Sequence, residues 1–259
     1  MSKTVTRRDR LAFHHEEKVL RELRLSGILR PNLDHRHPVI VPTYPSTETL
    51  EEQAKRFAAN HQPWYLTSIR LPAWDRSTPR LKAPYCSLAL SLAGSAYTVT
   101  LRLGAERIRR GASSSQKLMQ HLRREIARKL NAALGRSVEF WFVLELSNDV
   151  KEHLHGELGI DASELKEAKR VLRGVALDYY PPRAVHAKLT YAPLGAGGYA
   201  SKEVDFTRLV RPGAPFTRTE ALQRRASDLY RLHCLVHAEC LRARAEALSK
   251  PILERLRAA

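Results

Sequence analysis

Acidic residues are in short supply. The 259-residue chain carries 27 Asp+Glu against 44 Lys+Arg, a formal charge of +17 and a pI near 10.2. Such an imbalance says nothing about fold; it selects polyanionic partners, nucleic acid first and an anionic membrane surface second. Cysteine is scarce too: Cys86, Cys234 and Cys240 are an odd count and too few for a disulfide scaffold. No charged segment followed by an apolar core opens the sequence, so a reducing, cytoplasmic setting is expected. Long apolar runs are also missing. The uncharged stretch from Ala83 to Leu101 holds Pro84 and Gly94 and barely reaches the length of a bilayer crossing. With collagen-like and low-complexity patterns absent, 43% hydrophobic and 27% charged residues describe a globular chain long enough for one large or two modest domains.

Residues 1–60 read as an N-terminal extension. A charged segment with an apolar stripe (Leu11, Val19, Leu20, Leu23) runs into Pro31, Pro38, Pro42 and Pro45, then into a short helix capped by Ser46 or Thr47. Alternation predicts a strand from Trp64 to Leu71. It also predicts a hairpin in which Leu88, Leu90 and Leu92 answer Tyr97, Val99, Leu101 and Leu103 across Gly94-Ser95. Ser113 to Ser115 cap a helix whose stripe is Leu118, Leu122, Ile126 and Leu130 and whose end is Gly135. Strands follow over Val138 to Leu146 and through His153 to Gly156, joined at Ser147-Asn148-Asp149. A helix from Asp161 or Ser163, a strand from Ala184 to Tyr191 and a helix opened at Tyr199 by Gly195 to Gly198 complete the series. This order predicts an α+β fold over residues 61–212: a central antiparallel sheet with helices on one face, ferredoxin-like or split β-α-β. Residues 213–259 form a basic C-terminal region of one or two helices.

Chemistry concentrates at three places. In His153-Leu154-His155 both imidazoles point to one face of a strand while Leu154 points to the other. Glu145, at the end of the preceding strand, lies beside them if the two strands pair. Two imidazoles and a carboxylate leave positions open for water and a phosphate oxygen, as a catalytic divalent ion requires. The alternative is a polar sheet face with no ligand. Spacing alone does not separate the two, since 11 histidines in 259 residues give about half a His-x-His by chance. A second copy, His35-Arg36-His37, reads as a solvated loop. In Tyr199-Ala200-Ser201-Lys202 the phenol and the ammonium share a helix face, so Lys202 can stabilise a phenolate or charge on a phosphate. The preceding glycines would let the backbone approach a DNA strand. Last, His233, His237 and Cys240 fall at i, i+4 and i+7. They offer three zinc ligands, against which the intervening leucines fit an ordinary packed helix.

The ordered set resembles the HUH endonucleases, and within them the rolling-circle replication initiators of plasmids and single-stranded DNA phages. The matching residues are Trp64-Tyr65-Leu66-Thr67-Ser68, then Phe140 to Glu145 leading to His153-Leu154-His155-Gly156, then Tyr199-Ala200-Ser201-Lys202. The resemblance covers Trp64 to Leu209. It implies a metal-dependent nickase and strand transferase that forms a 5′-phosphotyrosine link on single-stranded DNA at a replication origin. His153 and His155 would be ligands to Mg²⁺ or Mn²⁺ with Glu145 as the third, Tyr199 the nucleophile and Lys202 its helper. Tyr191, placed on the preceding strand, leaves a one-tyrosine enzyme. Arg102, Arg107, Arg109 and Arg110 are expected to bind backbone phosphates, with host replication proteins as further partners and no membrane. The competing reading is a non-catalytic basic protein that stacks bases on Trp64, Tyr65, Phe140 and Phe142.

Overall fold

The structure, a computed structural model, describes residues 15–23, 28, 40, 42, 46–60, 71–113, 118–146, 152–176, 184–202, 204, 207 and 214–258. In chain order the elements are α1 (residues 15–23), α2 (Leu50–Asn60), α3 (Pro79–Ala93), β1 (Ala96–Arg102), α4 (Ala105–Ser113), α5 (Leu118–Leu134) and β2 (Phe140–Leu146). Then come β3 (Glu152–Gly159), α6 (Leu165–Ala176), β4 (Val185–Leu189), α7 (Pro193–Ala200), β5 (Phe216–Arg218) and α8 (Glu220–Ala258). They gather into two compact units, one within Thr78–Ala226 and one from His14–Ser77 with Ser227–Ala259. Of the strand expected from Trp64 to Leu71, residues 64–70 lie outside the described residues, as does the pair His35 and His37, and Leu71 is not in a strand. No helix among the described residues is long and apolar enough to cross a membrane.

The first unit is built on one five-stranded sheet in the order β4-β1-β3-β2-β5, antiparallel at every junction. The expected α+β class and split β-α-β connection are both present. Register explains the core. Tyr97, Val99 and Leu101 stand level with Leu158, Gly156 and Leu154, and these with Phe140, Phe142 and Leu144. That face meets Met119, Leu122, Ile126 and Leu130 of α5 and Ala168, Leu172 and Val175 of α6, all buried. The α5 stripe matches the sequence pattern, and the helix stops at Gly135, whose φ of 66° suits a residue without a side chain.

Alternate strand residues point to the other face, where α3 and α7 pack, so helices cover part of both faces. The hairpin expected over Leu88 to Leu103 is half corrected: β1 is its second arm, but the first is the helix α3. Thr78 caps that helix by accepting the Arg80 backbone N–H at 3.2 Å, and Pro79 fits its first turn. Nine of its residues from Leu81 to Leu90 are buried, so apolar side chains surround the helix and its sequence carries no 3.6-residue stripe.

The N-terminal cap expected at Ser46 or Thr47 is Thr49, whose hydroxyl accepts the Glu52 N–H while Glu52 accepts the Thr49 N–H. The second unit buries Val19, Leu23, Ala54, Tyr230, Leu232 and Val236. Its C-terminal basic segment belongs to one helix, α8, not two.

Candidate active site

β2 and β3 pair so that Glu145 stands opposite His153, and the two-residue period brings His155 to the same face. Glu145 Oε2 lies 2.7 Å from His155 Nε2 and 3.6 Å from His153 Nε2. The two imidazoles meet edge to face, with centroids 4.7 Å apart. The ligand atoms of all three residues fall within 4.8 Å of one another, and no other trio of His, Cys, Asp and Glu does so among the described residues. Burial acts to raise the Glu145 carboxyl, but the imidazoles beside it outweigh that and hold it down to about 2. Two ring nitrogens and an ionised oxygen, crowded together at one spot, fit a shared divalent cation.

The tyrosine arrives from a distant part of the chain. Thr190 N–H donates to Ala96 O at 2.8 Å, so the chain leaves β4 at the end of the sheet away from the imidazoles. Tyr191 stays there, 84% exposed and past the end of the strand on which it was expected. Helix α7 then returns along α3 and β3 and sets the Tyr199 ring 6.1 Å from that of His155, again edge on. Tyr199 remains 61% exposed. Lys202 Nζ sits 4.3 Å from the centre of the Tyr199 ring and 3.8 Å from Glu145 Oε1, so one ammonium touches both the phenol and the carboxylate.

The glycine run is not a loop before this helix, as the sequence had implied; it is the helix. Pro193 starts α7, and Leu194, Gly197 and Ala200 form its buried stripe. At Gly197 a side chain would lie 2.5 Å from Pro84 Cα, so the missing Cβ is what lets α7 close on α3. The last turn is tied down when Arg80 donates to Lys202 O at 2.7 Å. Neither Arg80 nor the Gly197 contact carries a local sequence signal, because each partner comes from another helix. Thr100 did carry one, in the polar phase of the β1 alternation. Its Oγ1 lies 3.1 Å from His155 Nδ1.

The other candidate residues lie in varied settings. Arg107 is only 2% exposed and pairs with Glu125 of α5, so it holds two helices together and does not face a phosphate. Arg109 and Arg110 are exposed, but both pair with Glu106. Arg102 is exposed on the imidazole face, opposite His153. Phe140 and Phe142 are fully buried against the helical core and cannot stack bases. His233, His237 and Cys240 do not converge as a trio: His233 Nε2–H donates to Ile40 O at 2.8 Å, and His237 Nε2 lies 3.6 Å from Glu22 Oε1.

No protein-family model and no curated protein matches the chain. A solved structure described as the catalytic domain of the Adeno Associated Virus type 5 Rep protein is similar over 57% of this chain and 98% of that one, at 12% identity and a TM-score of 0.33. Likeness at that level carries no weight for activity; the geometry of this chain does.

Proposed function

We propose that the chain is a metal-dependent endonuclease that nicks single-stranded DNA through a covalent tyrosyl intermediate, as an initiator of rolling-circle replication does. The observation that carries this reading is the delivery of an exposed phenol, by a separate helix, to the edge of the only convergent Glu/His/His trio among the described residues. His153, His155 and Glu145 would hold Mg²⁺ or Mn²⁺. When bound, that ion supplies polarisation of a non-bridging oxygen on the scissile phosphate.

Tyr199 Oη attacks phosphorus and gives up its proton; the bond to the 3′-oxygen breaks, and that oxygen takes a proton to become a free 3′-hydroxyl. The product is a 5′-phosphotyrosyl link. Its reversal by a 3′-hydroxyl rejoins strands and frees the phenol. A phenol is a weak nucleophile, and Lys202 over the ring face is placed to stabilise the negative charge that develops as Tyr199 attacks. The same ammonium offsets the negative charge that Glu145 contributes, so an anionic backbone can approach. Arg102 stands on the same face to receive a neighbouring phosphate.

The test is incubation with origin-containing single-stranded oligonucleotides and Mn²⁺. Strand cleavage is expected in the wild type and its loss with EDTA, with His155→Ala and with Tyr199→Phe. Cleavage that survives EDTA and His155→Ala removes the metal reading; DNA binding without cleavage, unchanged by EDTA and by His155→Ala, leaves a basic binding protein.

A further inference from the structure

His155 is held at both ring nitrogens. Nε2 faces Glu145 at 2.7 Å, and Nδ1 faces the Thr100 hydroxyl at 3.1 Å. β1 and β3 pair Thr100 with His155 directly, so the backbone ladder itself sets this contact. The branched Thr side chain has little χ1 freedom, and the residue is half-buried. The residue that β1 pairs with His153 is Arg102, which cannot accept a hydrogen bond. Thr100 therefore treats the two imidazoles differently.

The chemistry asks for a group of this kind. A histidine that ligates through Nε2 must carry its proton on Nδ1, and that N–H needs an acceptor. Without an ion, Nε2 lies 2.7 Å from Glu145 Oε2, where a proton on Nε2 has an acceptor. Nδ1 then presents a lone pair and needs a donor. A carbonyl could serve only the first state and an ammonium only the second. A hydroxyl serves both by rotating.

We propose that Thr100 is a positioning residue for His155. Its hydroxyl donates to Nδ1 in the metal-free protein and accepts from Nδ1–H when Nε2 turns to an ion. The ring changes tautomer with no net gain or loss of protons. This rests on the assignment of His155 as a metal ligand, and two measurements separate the fate of that assignment from that of Thr100.

The first is Mn²⁺ titration of the protein alone, without DNA, followed by electron paramagnetic resonance. Wild type is expected to bind one ion, His155→Ala to lose it, Thr100→Val to bind ten- to a hundredfold more weakly, and Thr100→Ser to bind close to wild type. Equal binding by wild type and Thr100→Val overturns the role of Thr100 while leaving the metal site in place. Equal binding by wild type and His155→Ala overturns the metal site and the inference with it. The second measurement needs no variant: imidazole ¹⁵N shifts of the wild-type protein with and without Mg²⁺. A move of His155 from the Nε2–H to the Nδ1–H tautomer supports the proposal, and an unchanged Nε2–H tautomer on saturation overturns it.

Discussion

Single side chains in this protein are governed by what surrounds them on folding, and two histidine environments show it. Beside Glu145, His155 faces an ionised carboxylate, a pairing suited to a shared cation. His233 is buried instead against a backbone carbonyl. Burial pushes its pKa down to about 4, with the Ile40 hydrogen bond opposing only part of that effect. Above pH 6.5 the ring is neutral both folded and unfolded, and its contribution to stability is whole. As pH falls from 6.5 to about 4 only the unfolded chain takes up the proton, so stability declines, by about 3 kcal/mol for this group at the lower end. Urea melts at pH 7 and pH 4.5 are expected to show a smaller acid loss in His233→Gln than in wild type; equal losses would contradict the neutral buried ring. The sequence exposed the Glu145 and His153/His155 set because a strand has a period of two and a short turn fixes which strands pair. It hid the burial of Arg107, whose partner Glu125 lies on the next helix and leaves no mark at the arginine.

Among the elements, α3 and α7 depart furthest from their sequence appearance. α3 is covered on so many sides that apolar periodicity fades, and α7 contains three glycines that on propensity alone argue against a helix. Packing supplies what propensity lacks, and the Gly197–Pro84 approach is its tightest point. Gly197→Ala is expected to push α7 off α3, costing about 1–3 kcal/mol and displacing Tyr199 from His155, so stability and nicking fall together. Gly198 faces open space, so Gly198→Ala should be neutral or slightly stabilising. Chemical denaturation with parallel nicking rates checks both. Similar behaviour of the two variants would mean that α7 is not held by this contact. By contrast, α5, α6 and the four strands β1 to β4 were readable. Each has one covered face and one polar face, or a clear start and stop.

For the whole molecule, +17 meant only a polyanion. The structure divides that charge. Arg107 is paired with Glu125 in the interior and Arg109 and Arg110 share Glu106 at the surface, while Arg102 and Lys202 stand at the site. Binding to single-stranded DNA is therefore expected to weaken linearly in log salt, with about −0.7 in slope for each phosphate neutralised. Arg102→Ala should lower that slope by about one such step, and Arg109→Ala by less; fluorescence anisotropy across a salt series measures it, and an unchanged slope for Arg102→Ala would place the DNA elsewhere. The phenol of Tyr199 is proposed to take the scissile phosphate, and mass spectrometry of protein trapped with a cleaved oligonucleotide tests that step at the atom concerned. One peptide carrying a nucleotide, linked through Tyr199, is expected. A nucleotide on another residue, or cleavage with no covalent peptide at all, would contradict it.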